Sequence, residues 1–246
     1  MLLNKVYIRH KENYPDDINT FNAYQGFYNL GVETVPFYGF GDIVDLKDLG
    51  PEVGIVGFIG DVWEALRLLN KPIPKPLDYP EELMPWLGRS IRKSTIGEIR
   101  QSKSKCFIKP VAHKLFTGFV WEASVGDRLS IATQESDTEV WVSDVVSFVS
   151  EYRCFIQDGE IVGVRLYKGD WSKALNKDTV ITAVKAYSKQ PRGFSLDFGV
   201  TTEGQTLLVE VNDGFALGCY GLYCITYARL IEARWQELIG CSDNLP

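Results

Sequence analysis

Apolar runs of four to eight residues recur along the chain, and where polar residues alternate with them the pattern is that of half-buried strands. LDFGV, Leu196 to Val200, and TLLVEV, Thr206 to Val211, predict one hairpin, joined by the polar run TTEGQ in which Gly204 suits a turn. EYRCFIQDGEIVGVRLYKG, Glu151 to Gly169, predicts a second, with Asp158-Gly159 as its tight turn. Nearer the start, NKVYIRH and VETVPFYG read as strands flanking a helix, TFNAYQGFYNLG, that Gly31 stops. GIVGFIG then suits a buried strand, and DVWEALRLLN a helix with Asp61 as N-cap. Further strands are read in KCFIKP and DTEVWVSDVV, and helices in IRKSTIGEIRQ, from about Asn176 to Lys189, and in LYCITYARLIEARWQELIG. HKLFTGFVW reads as a basic loop entering a strand.

KPIPKPLDYPEELMP carries five prolines in fifteen residues and cannot continue regular structure, so it is read as a lobe boundary near residue 85. The expected organisation is an N-terminal α/β lobe, residues 1–85, followed by an α+β domain, residues 86–246. A chain of 246 residues, 45% hydrophobic and 13% aromatic, has enough material for a sizeable core. Its longest apolar runs are too short to span a bilayer and charge enters early in MLLNKVYIRH, so a soluble, cytoplasmic protein is expected. Five cysteines without framework spacing fit reduced thiols, and Cys219 and Cys224 lack the companions of a zinc site. A net charge of −6 argues against a broad nucleic-acid surface.

Charged residues inside these strands are the candidates for chemistry. With the turn symmetric about Glu203-Gly204, Asp197 faces Glu210 and Asn212 shares their face. Two carboxylates that close repel each other unless a cation lies between them, and a hard ion such as magnesium takes oxygen ligands of this kind. The plainer alternative is a solvated hairpin whose acids happen to align. Arg153 lies in an otherwise apolar strand, where an arginine prefers a fixed anionic partner. Arg165 and Lys168 fall on opposite faces of a regular strand, so a bend near Tyr167 is needed for both to meet one ligand. Lys109 ends an apolar strand before Pro110 and could reach into a cleft, although a lysine snorkelling at a strand end is common.

The order of parts, strand-Lys-Pro, loop, VWVSDVV, EYR hairpin, then LDFGV and VEVND, resembles the ATP-grasp superfamily of ATP-dependent ligases. The likeness runs from about Pro85 to the C-terminus, and the first third is similar to the small α/β domain that often precedes an ATP-grasp core. VNDGFALGCYGL also resembles a motif of a bacterial and phage clade within that superfamily. The fold implied is α/β (α+β), with nucleotide held between two α+β subdomains. The resemblance makes Asp197, Glu210 and Asn212 the magnesium ligands and Lys109 the lysine on the α- and β-phosphates of ATP, with Lys93 as a second lysine upstream. It places the adenine hinge at Trp141, Val142, Ser143 and Asp144, and puts Arg153, Arg165 and Lys168 near the γ-phosphate or an acyl phosphate.

Two departures stand out. VAHKLFTGFV has only Gly118 where many members have a glycine-rich lid, which turns attention to His113, Lys114 and Thr117, and VEVNDGF replaces the Asn-Pro stretch of peptide ligases. The implied reaction joins a carboxylate, activated as an acyl phosphate, to an amine on a small molecule or peptide. It requires no covalent enzyme intermediate, which fits a chain with two histidines and no Ser-His-Asp or Cys-His constellation. Phosphorylation of a hydroxyl, a nucleotide-binding module without turnover, and action on nucleic-acid ends are the alternatives. The acidic composition counts against the last.

Overall fold

The computed structural model describes residues 2–112 and 115–240, and they form three four-stranded sheets. The first contains β1 (Lys5–Lys11), β2 (Tyr14–Pro15), β3 (Glu33–Phe37) and β4 (Val53–Val56). β1 runs parallel to β3 on one side and β4 on the other, with β2 folded back against its end. Helices α1 (Ile18–Asn29), α2 (Phe40–Ile43) and α3 (Ile59–Leu68) connect these strands. The Asp17 carboxylate caps α1 through the amides of Asn19 and Thr20, and Gly31, at φ +76°, turns the chain out of it as expected.

α3 starts two residues before the expected position. Asp61 is therefore its third residue rather than its N-cap, and the carboxylate reaches back to the Phe58 amide at 2.8 Å while pairing with Arg9 at 2.8 Å. A 3-10 turn, Glu81–Trp86, follows the proline-rich stretch, so regular structure resumes there despite Pro85.

The second sheet consists of β5 (Ile91–Thr95), β6 (Cys106–Pro110), β7 (Phe119–Trp121) and β8 (Glu139–Ser143), antiparallel in the order β5-β8-β6-β7. It is backed by α4 (Ile96–Gln101) and α5 (Val125–Ser130). Here the helix expected over Ile91 to Gln101 is corrected. Its first half is strand β5, paired along its length with β8, and only Ile96 onward is helical. Thr95 marks the switch, its hydroxyl accepting from the Glu98 amide at 3.3 Å. This Thr-x-x-Glu capping box was present in the sequence, but the strand before it exists only through its partner.

The third sheet has β9 (Phe148–Gln157), β10 (Glu160–Gly169), β11 (Gly193–Thr201) and β12 (Thr206–Asp213), antiparallel in the order β10-β9-β11-β12. Both predicted hairpins are present. Asp158 and Gly159 each have positive φ, 48° and 84°, matching the mirror-image turn that suits the twist of the strands. Alternation gives the sheet two unlike faces. Cys154, Ile156, Leu196, Phe198 and Leu208 pack on α6 (Lys177–Ala186) and the 3-10 turn, while the opposite face carries the charged residues. α6 ends three residues earlier than expected, and Tyr187, just after it, turns inward against Phe194.

The last helix, α7 (Cys224–Leu238), joins a single core with the first sheet, α1, α3 and Phe155 of β9. α1 and α7 approach closely at Gly26, where an added Cβ would sit 2.1 Å from the Cys224 carbonyl oxygen. Gly26→Ala must push the helices apart, at an expected cost of about 1–3 kcal/mol read from the urea midpoint. Among the described residues Cys106, Cys154, Cys219 and Cys224 are free thiols, and no helix is long and apolar enough to cross a membrane.

Candidate active site

The β11–β12 hairpin sets the site. It closes with Thr201 bonded to Gln205 around Gly204, which puts Phe198 opposite Leu208, one step away from the symmetric register. A bulge at Val209 then restores the expected pairing, Asp197 against Glu210 and Ser195 against Asn212. The acids face each other through turn and bulge together. β9 and β10 extend the same row, since Arg153 lies opposite Asp197 and Arg165 opposite Arg153. Side chains of directly opposed residues point to one face. Arg165, Arg153, Asp197 and Glu210 therefore form a charged line across four strands.

Arg153 grips Asp197 with a two-pronged fork, Nε to Oδ1 at 2.8 Å and Nη2 to Oδ2 at 2.7 Å, and their side chains are only 8% and 3% exposed. Asn212 Nδ2 also donates to Asp197 Oδ2 at 3.1 Å, and Ser195 Oγ lies 3.4 Å from Oδ1. Burial raises the Asp197 carboxyl above its ordinary range against the pull of the fork, and Asp197 in turn outweighs the effect of burial on Arg153 and holds that guanidinium above its usual value. With four polar contacts converging on the carboxylate, the ionised pair is the state this geometry serves.

A second pair lies alongside. Lys109 Nζ is 2.7 Å from Glu210 Oε2 and 2.6 Å from Asp78 Oδ1, above the Tyr79 ring at 5.0 Å. Burial works against the ammonium, but Glu210, Tyr79 and Asp78 together hold it above its ordinary value. Burial likewise acts to raise Glu210, and Lys109 with Asn212 outweighs it and keeps the acid below the usual glutamate range.

These groups border a cleft of about 580 Å³ between the second and third sheets, lined by Pro76, Asp78, Lys109, Thr117, Glu210 and Asn212 among others. A larger hollow of about 670 Å³, bordered by Tyr152, Ile161, Val164, Leu175 and Val180, opens on the far face of the third sheet, away from the acids. His113 and Lys114 lie outside the described residues.

The other candidates occupy the surroundings. Trp141 lies between Lys93 and Lys109 in a row across β5, β8 and β6, and its Nε1 donates to Asp78 Oδ2 at 2.9 Å. Val142 is buried in the core of the second sheet, Ser143 Oγ donates to the Asp144 carbonyl, and the Asp144 carboxylate accepts from the Ser90 amide. Lys93 shares the face of Lys109 but stays half exposed, 5.4 Å from the Trp141 ring, 3.7 Å from Glu139 and outside the cleft lining.

The bend anticipated near Tyr167 is a bulge. It leaves Leu166 opposite Tyr152 and Lys168 opposite Glu151, so Lys168 joins the face of Arg165 and pairs with Glu151 at 2.5 Å. Arg165 Nε donates to the Gly221 carbonyl at 3.0 Å. Tyr220, whose orientation the sequence leaves open, stacks on Tyr167 at 4.9 Å and lies against the Arg153 guanidinium at 4.8 Å. Asp78 is the residue the sequence reading missed, because an acid inside a proline-rich connector carries no periodic signal.

A hard cation would find suitable donors here, two facing carboxylates and an amide oxygen on one face, with Glu210 and Asn212 on the cleft wall. Each acid already attracts a cationic side chain, Lys109 or Arg153. Among the described residues no three His, Cys, Asp or Glu side chains converge, so such an ion would complete its shell with Asn212, substrate oxygens and water.

No curated protein sequence matches the chain. Among solved structures, D-alanine–D-alanine ligase from Bacillus anthracis superposes with a TM-score of 0.60 at 14% identity, covering 96% of this chain and 98% of the other. D-cycloserine synthetase DcsG gives 0.60 at 11%, covering 94% and 99%, and L-amino acid ligase from Bacillus licheniformis 0.58 at 10%, covering 96% and 76%. At such identities the likeness is one of fold. Residues 86–230 match a family described as an ATP-grasp domain, the second family of its clade, and with the matching α+β architecture this makes the chain a member of the ATP-grasp superfamily.

Proposed function

We propose that the protein is an ATP- and magnesium-dependent ligase that activates a carboxylate as an acyl phosphate and joins it to an amine. The observation that carries this reading is the charged row from Arg165 through Arg153 and Asp197 to Glu210, continued into the cleft by Lys109. Acids and bases alternate there as matched pairs. Arrival of a magnesium-bound triphosphate exchanges like for like, acids to the metal and bases to the phosphates, so the site stays near neutrality throughout.

In this reading Glu210, Asn212 and Asp197 hold magnesium, which supplies Lewis-acid stabilisation of charge on the transferring phosphoryl group. Lys109 takes the inner phosphates, with Lys93 beyond Trp141 at the outer end of the same row. The β8 segment Trp141 to Asp144 borders adenine through its backbone. Arg153, Arg165 and Lys168 hold the γ-phosphoryl and then the acyl phosphate. The substrate carboxylate oxygen bonds to the γ-phosphorus as the bond to ADP breaks. The amine then bonds to the acyl carbon, loses a proton, and phosphate departs with the bonding pair. The N-terminal lobe, residues 1–85, faces this row through the 214–222 loop, where Cys219 N donates to Asn19 Oδ1, and is assigned to substrate selection.

The test is ADP release with hydroxylamine present, across a panel of amino-acid and peptide carboxylates. A carboxylate-dependent hydroxamate supports ligation, and a stable phosphoester in its place would move the reading to hydroxyl phosphorylation. Glu203→Ala, at the exposed turn of the hairpin, is expected to leave turnover within about twofold of wild type, as surface changes do. A large loss there would sink the assignment of the paired acids as the working groups.

A further inference from the structure

The connector between the lobes, outside the family match, delivers one carboxylate into the cleft. Asp78 is held at several points. Its Oδ1 takes Lys109 at 2.6 Å, its Oδ2 takes Trp141 Nε1 at 2.9 Å, and its carbonyl accepts from Val211 N of β12 at 2.9 Å. The residue has a φ of 43°, a left-handed conformation that aspartate tolerates and most side chains do not. The next residue, Tyr79, is buried edge-on to Trp141 beneath Lys109. One short segment thus ties together β6, β8 and β12, the three strands that build the cleft.

Lys109 has two acidic partners, and they differ. Glu210 is 29% exposed and belongs to the acids facing the cleft, whereas Asp78 is 12% exposed and fixed by a second donor and a backbone bridge. A lysine whose only partner was Glu210 would compete with any metal ion for that carboxylate. A second, immobile carboxylate removes the competition, because the ammonium keeps an ion pair after Glu210 has left it.

We propose that Asp78 is a positioning residue, holding Lys109 and Trp141 in place while Glu210 is released to magnesium-bound nucleotide. The proposal rests on the reading above that Glu210 serves the metal. It places part of the nucleotide machinery in the connector, outside residues 86–230.

The test is calorimetric titration of ATP into wild type and Asp78→Asn over a series of magnesium concentrations. Asparagine keeps the acceptor for Trp141 and tolerates the left-handed backbone while removing the charge. The magnesium concentration for half-maximal tightening is expected to rise about tenfold, the weight of one charge-assisted hydrogen bond, with near wild-type affinity regained at saturating magnesium. Should Asp78→Asn fail to fold, Asp78→Gly removes the same carboxylate at a φ that glycine adopts freely, and the same shift is expected. An unchanged magnesium requirement in a folded variant overturns the proposal, as does a loss of affinity that saturating magnesium does not recover. A wild-type protein whose nucleotide binding ignores magnesium overturns the reading of the site itself, which separates the two failures.

Discussion

Arg153→Met is expected to destabilise the protein by about 3–5 kcal/mol, the cost of leaving a buried carboxylate without its cation. Asp197 is 3% exposed, and of its polar neighbours only Arg153 carries charge, so water cannot replace the fork. The substitution also strips a donor from the Gly218 carbonyl and the cation from beneath Tyr220. The double variant Arg153→Met/Asp197→Leu should recover much of the loss, since replacing both members of a buried pair by apolar groups is far cheaper than removing one. Urea midpoints of the two single variants and the double close the cycle. A loss below about 1 kcal/mol for Arg153→Met would mean the carboxylate is neutral in the folded protein and the fork a weak contact.

Glu210→Gln should instead leave the fold nearly intact and lower turnover by roughly 10²–10³-fold, the scale of losing one group that stabilises transition-state charge. Glutamine keeps an oxygen for the Lys109 ammonium at the same reach, and Lys109 retains Asp78, so no buried charge is stranded. Metal binding is what the amide cannot match, because a neutral oxygen holds a divalent ion less tightly than a carboxylate. Steady-state ADP release against magnesium concentration, beside thermal melting of the same samples, separates the two effects. Turnover within tenfold of wild type at low magnesium would remove Glu210 from the metal assignment. These expectations contrast two acids on neighbouring strands: Asp197 dominates stability because it is enclosed, and Glu210 dominates function because it borders the cleft.

Much of the third sheet was legible from local pattern. Period-two alternation over Leu196 to Asp213 and Glu151 to Gly169, with Asp158-Gly159 and Gly204 at the turns, specified both hairpins, and alternation alone required a bend at Tyr167. Such features depend on residues within one hairpin, where side-chain direction and turn chemistry fix the outcome. Strand β5 was misread for the opposite reason. Ile91 to Thr95 has no strong local preference, and its extended form comes from pairing with β8 more than forty residues away.

By itself, then, the sequence determined which segments are hairpins, that Asp197 faces Glu210 beside Asn212, that Lys109 ends a strand at Pro110, and the order of parts that led to the family. Tertiary structure alone decided who neutralises whom. Arg153 meets Asp197 because β9 lies beside β11, across 44 residues of chain, and Lys109 meets Glu210 because the second sheet packs against the third, across 101. It also decided that α7 completes the core of the first sheet and that Asp78 enters the cleft. The physical reason is common to these cases. Hairpin register is written in local alternation and turn residues, whereas strand order and sheet packing are settled by burial summed over the whole chain, which no short window of sequence contains.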